Sequence, residues 1–178
     1  MYVIIPYNKF KEDNLTFKKK KKKDKEFIKI IYKFSNLLIN DIYIESPVIL
    51  CLDRIQSKEF KIKNKYMLRL ICPRAYIQKL RDIENATVNY IHDNITNNKG
   101  HTSIIDKENE NIINITLYKD IYTGIAVYND NDNCLTCKYP IEELVKNKSI
   151  KLTLAFNYIW INNYNFGLSW RAIAIKDI

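Results

Sequence analysis

Apolar and polar positions alternate most regularly near the end of the chain, in IKLTLAFNYIWINNYNFGLSWRAIAI (Ile150 to Ile175). Ile150, Leu152, Leu154, Phe156, Tyr158 and Trp160 occupy one set of alternate positions, and Lys151, Thr153, Ala155 and Asn157 the other. A period of two over a dozen residues predicts a strand with a half-buried face, which puts Tyr158 and Trp160 on the apolar side. Asn162-Asn163-Tyr164-Asn165 tolerates turn dihedrals, and a second β-rich run follows from Phe166. In that run Phe166, Leu168 and Trp170 share one face, while Ser169, Arg171, Ile173 and Ile175 share the other. The whole stretch reads as a long antiparallel hairpin holding both tryptophans.

Upstream, Met1 to Pro6 reads as a short edge strand or an unpaired start, and EFIKIIYKF, LLINDIYI and PVILCLDRI as further strands punctuated by Asn36, Asn40 and Pro47. Lys29 and Lys33 share one face of the first of these, with Ile28, Ile30, Tyr32 and Phe34 opposite. FKIK and YMLRLIC add two strands around an expected turn at Lys63-Asn64-Lys65. Pro73 then opens the single long helix. Ile77, Leu80, Ile83 or Glu84, Val88 and Ile91 recur at three- and four-residue steps, predicting an amphipathic helix over about Pro73 to His92.

Asn94 to Asn111 is a polar connector holding Gly100 and His101. NIINITLY and IYTGIAVY resume the strands, Asn129 to Asn133 reads as a loop tip, and Pro140 to Asn147 as a short helix before the hairpin. The expected fold is one mainly β domain over residues 1–178, an OB-like Greek-key barrel with one longer and one short helix.

Charge changes this picture locally. Ile, Asn, Lys and Tyr fill almost half of the chain, as an AT-rich coding sequence would produce. The formal charge is +9, but Lys18, Lys19, Lys20, Lys21, Lys22, Lys23 and Lys25 supply seven of those charges. Repulsion between adjacent lysines predicts a flexible basic segment over about residues 8–25. As a solvated loop it has no role; as an arm on phosphates it adds affinity without base preference, by releasing counterions.

Few catalytic chemistries fit. Gly100, Gly124 and Gly167 lie too far apart for a glycine-rich phosphate cradle. Neither a Gly-X-Ser-X-Gly elbow nor a His-Glu-X-X-His pair occurs, and His92 and His101 lie near no nucleophile motif. Cys134-Leu-Thr-Cys137 has zinc-knuckle or redox spacing, but Cys51 and Cys72 lie singly in apolar strands, so no second pair completes a four-ligand site. The expectation is a non-enzymatic protein without metal or cofactor. No apolar run approaches the roughly 18 residues needed to span a bilayer. The VII stretch before Pro6 is too short for a signal peptide. A soluble cytoplasmic protein with reduced thiols, off the membrane, is expected.

Strands that interleave aromatics with cations suit single-stranded nucleic acid, since bases stack on rings while lysines track the backbone. Candidate contacts are Lys18 to Lys23 together with Lys29, Lys33, Tyr43, Arg54, Lys61, Lys63, Arg69 and Arg171, and the rings of Tyr66, Trp160 and Trp170. Trp160 is expected mainly in the core.

LTLAFNYIWINNYNFGLSWRAIAI resembles the closing strands of OB-fold single-stranded DNA-binding proteins of large DNA viruses, phages and virus-like elements, with Phe166-Gly167-Leu168-Ser169-Trp170 as the match. The resemblance covers about 25 residues, and Gly167 within a strand fits a bulge or close backbone approach. The composition is similar to that of proteins of the cytoplasmic linear plasmids of yeasts. Together these imply sequence-independent binding of single-stranded DNA during replication of an AT-rich plasmid-like or viral genome, with self-association and replication proteins as further partners. Two alternatives stand beside this: a structural or assembly subunit, and an accessory factor for duplex ends or RNA.

Overall fold

In the computed structural model the described residues are 3–22, 25–52, 56–60, 63–95, 99–118, 126–128 and 148–178. Strands predominate among the described residues. Eight precede the helix: β1 (Val3–Pro6), β2 (Leu15–Lys22), β3 (Lys25–Phe34), β4 (Leu37–Ile39), β5 (Ile42–Glu45), β6 (Ile49–Cys51), β7 (Gln56–Phe60) and β8 (Lys63–Ile71). Helix α1 (Arg74–Asn94) follows, then β9 (Gly100–Thr102), β10 (Ile112–Tyr118), β11 (Ala126–Tyr128), β12 (Ser149–Ile161) and β13 (Asn165–Asp177). The fold is mainly β and OB-like, as expected, and the described strands do not close the sheet into a barrel. The expected short helix, the Asn129 to Asn133 loop, Cys134, Cys137, Lys23, Arg54 and Lys61 lie outside the described residues.

The C-terminal hairpin is the spine. β13 lines one edge of β12; along the other edge β12 pairs in turn with β6 at Ser149–Ile150, β5 at Thr153–Ala155 and β3 at Tyr158–Ile159. Each change of partner leaves backbone groups to satisfy, and a side chain meets the need. At the first, the Ser46 hydroxyl accepts from the Leu152 N–H at 2.8 Å. At the second, Asn157 Oδ1 accepts from the Ile42 N–H at 3.2 Å.

The hairpin turn falls where the asparagines predict it. Asn162 Oδ1 accepts from the backbone N–H groups of Tyr164 and Asn165 at 2.9 and 2.7 Å. The regular alternation does not hold throughout, however. Phe156 pairs with Trp170 and Ile159 with Leu168, so Asn157 and Tyr158 together oppose Ser169. A second bulge leaves Ile173 extra between Ala172 and Ala174. Each bulge shifts the phase of its strand by one residue. Ile150, Leu152, Leu154 and Phe156 are buried as expected, but beyond the bulge Ile159 takes the inner face and Trp160 turns outward, which corrects its expected core position. Ile175 is buried for the same reason.

Helix α1 covers the core with Tyr76, Ile77, Leu80, Ile83, Glu84, Thr87 and Ile91 buried. Pro73 stands just before the helix rather than at its first position, and its carbonyl accepts from the Tyr76 and Ile77 N–H groups. Cys51 and Cys72 are core residues, and burial pushes the Cys72 thiol up to about 12.

Two local expectations are corrected. Lys18 to Lys22 lie in paired strand rather than in a flexible arm: β2 is in register with β3 from Leu15 opposite Tyr32 to Lys22 opposite Lys25. A strand sends successive side chains to opposite faces, which relieves the repulsion between neighbours. Leu15 is buried and Phe17 stacks on Tyr90 of α1 at 4.5 Å, so the apolar phase is set before the lysines begin. Lys63-Asn64-Lys65 lies inside β8. Lys63 already pairs with Phe60 of β7, so no turn falls at Lys63-Asn64-Lys65.

Candidate nucleic-acid interface

Strand register aligns the outward side chains in rows. Lys18 pairs with Lys29 and Lys29 with Tyr158, whose N–H lies 3.3 Å from the Ser169 hydroxyl oxygen that accepts it. Lys20 pairs with Phe27, and the Phe27 ring meets Tyr158 edge-on at 6.4 Å. Further along β12, Tyr43, Ala155 and Arg171 form another row across β5, β12 and β13. Trp160 pairs with Gly167. One sheet face therefore presents Lys18, Lys20, Lys29 and Arg171 beside Phe27, Tyr43, Tyr158 and Trp160. Tyr158 is 46% exposed, open enough to offer its ring face.

A wall turns this face into a groove. β9 runs parallel to β13 only as far as Thr102 opposite Gly167. The chain then leaves β13, and Thr102, Ser103 and Ile104 line a concavity of about 490 Å³ together with Trp160, Ser169, Trp170 and Arg171. The Ile104 carbonyl accepts from the Asn114 N–H at 2.8 Å, tying the wall to β10. The carboxyl of Asp106 is held below its ordinary range by the Asn114 side-chain amide, and further by the N–H groups of Asn109 and Glu108 and by nearby Arg69. Lys99 Nζ donates to the carbonyls of Asn162 and Asn163, fastening the hairpin turn to the start of the wall.

Gly167 makes the close approach possible. A Cβ there would lie 2.8 Å from the Thr102 carbonyl oxygen and 2.8 Å from the Trp160 ring. Gly167→Ala is therefore expected to destabilise the protein by about 1–3 kcal/mol in denaturant unfolding and to displace the Trp160 indole, read as shifted fluorescence.

No family model matches the chain, and no curated protein matches it. The fold is similar to that of the single-stranded DNA-binding protein from bacteriophage Enc34. That structure covers 91% of this chain and 89% of its own at TM-score 0.51 and 15% identity. The same phage protein in complex with ssDNA covers 93% and 96% at TM-score 0.52 and 16% identity. At such identity the likeness is one of fold.

The structure gathers part of the sequence-predicted set. Lys18, Lys20, Lys29, Tyr43, Trp160 and Arg171 share the groove face. Lys33 is exposed, four positions along β3 from Lys29. Arg69 pairs with Asn114, a groove residue. Lys19 points the other way and donates to the Asn94 carbonyl at the end of α1, at 3.3 Å. Lys21 and Lys22 extend β2, while Lys63 and Tyr66 lie along β8 where it pairs with β7. Trp170 also lines the concavity, and it is held there from the core side. Its ring packs on Phe156 at 4.8 Å and its indole N–H donates to Glu84 at 3.1 Å. The sequence reading missed Tyr158, Phe27 and the Thr102–Ile104 wall. For Tyr158 and Phe27 the signal was available only through the bulge and the register.

Proposed function

We propose that the protein binds single-stranded DNA without sequence preference on this groove face, as a non-enzymatic binder. The supporting observation is the juxtaposition of Lys18, Lys20, Lys29 and Arg171 with Phe27, Tyr43, Tyr158 and Trp160 across strands in register. Rings that stack bases need those bases unpaired, so the face suits a single strand better than a duplex. The fold likeness to the phage single-stranded DNA-binding protein agrees with this reading. We place its use in replication of an AT-rich plasmid-like or viral genome in the cytoplasm, on the coding composition.

Titration of fluorescent oligo-dT and of duplex DNA at two salt concentrations tests the reading. Expected are tight oligo-dT binding that weakens as salt rises, weaker duplex binding, and similar affinity for other unstructured single strands. Absence of binding, or equal affinity for duplex, refutes it. Oligo-U bound more tightly than oligo-dT would move the assignment to RNA.

A further inference from the structure

Glu84 lies on the apolar stripe of α1 and is 3% exposed, yet it belongs to no part of the groove surface. Its carboxylate accepts three hydrogen bonds from two separate segments. Oε2 accepts from the Ser103 hydroxyl at 2.6 Å. Oε1 accepts from the Ile104 N–H at 3.2 Å and from the Trp170 indole N–H at 3.1 Å. Ser103 in turn accepts from the Ile105 N–H at 2.9 Å. These partners are the groove wall and the strand that floors it.

The position of the three bonds gives them their meaning. Wall and floor are joined by strand pairing only up to Thr102 and Gly167, and beyond that point they separate to form the groove. Trp170 sits between Ser169 and Arg171, which line the groove, and between the two bulges where strand pairing is least regular. A buried carboxylate is costly unless its oxygens are satisfied, and removing one partner leaves the others exposed to that cost. Glu84 therefore holds the two sides at one separation from behind, without touching whatever lies between them.

We propose that Glu84 is a positioning residue for the binding groove, setting the spacing between the Ser103–Ile104 wall and the β13 floor. The proposal rests on the groove being the DNA-binding site. Its test compares Glu84→Gln, Ser103→Ala and the core control Leu80→Val by oligo-dT affinity, salt slope and thermal unfolding. Loss of its bond corresponds to roughly 2- to 12-fold weaker binding for Ser103→Ala; Glu84→Gln turns the Ser103 bond round and takes the charge off the other two, and is expected to weaken binding within the same range. The salt slope is expected to stay unchanged, because every phosphate-binding cation is still in place. Leu80→Val is expected to lower the melting temperature while holding affinity within about twofold.

Wild-type protein that fails to bind oligo-dT refutes the binding reading, and the proposal with it. Wild-type protein that binds, with Glu84→Gln and Ser103→Ala binding equally well, refutes the proposal alone. Losses no greater than those of Leu80→Val also refute it, since Glu84 would then act only on stability. If Glu84→Gln does not fold, Ser103→Ala decides.

Discussion

Trp160→Ala and Tyr158→Ala are each expected to weaken oligo-dT binding by about 5- to 150-fold, the equivalent of one stacked base at about 1–3 kcal/mol. The two rings stand on the outward face of β12 at and beyond the bulge formed by Asn157 and Tyr158, so their loss removes stacking surface without opening the core. Tyr158→Phe should bind like wild type, because stacking uses the ring and not the hydroxyl. The salt dependence of all three variants should match wild type, since no cation is removed. An affinity unchanged in Trp160→Ala, measured by fluorescence anisotropy, would show that bases do not stack there.

The second large effect is electrostatic and depends on strand phase. In β2, Lys18 and Lys20 face the groove row with Lys29, while Lys19 faces α1. Replacing Lys18, Lys20 and Lys29 together with glutamine should lower the slope of log affinity against log salt by roughly 2, at about 0.7 for each phosphate no longer neutralised. Lys19→Gln should leave that slope in place and act on stability instead, by a few tenths of a kcal/mol, as expected of an exposed interaction. A general reduction of positive charge would treat the lysines alike, so equal slopes for Lys18→Gln and Lys19→Gln would contradict the assignment.

These two effects show how far the residues alone could be read. The hairpin, its asparagine turn and the amphipathic helix were legible because periodicity and turn chemistry are local. Bulges are not: nothing in FNYIW says that Asn157 and Tyr158 will both oppose Ser169, and this decides which side Trp160 takes. A run of identical lysines hides its own alternation, and only Phe17 docking on Tyr90 reveals which of them face the helix. Glu84 did leave a trace, as a carboxylate on the apolar stripe of α1, but its partners come from Ser103, Ile104 and Trp170, far along the chain. The groove wall has no signature of its own. It is a polar connector that β13 and α1 hold in place.

A single strand is expected to lie on the face shared by β2, β3, β5, β12 and β13. Photo-crosslinking with oligonucleotides carrying 5-bromodeoxyuridine, followed by mass spectrometry, tests it most directly. Adducts are expected on Tyr158 and Trp160, with Phe27 and Tyr43 beside them. Adducts confined to the exposed side of α1, around Gln78 and Asn85, would contradict the account.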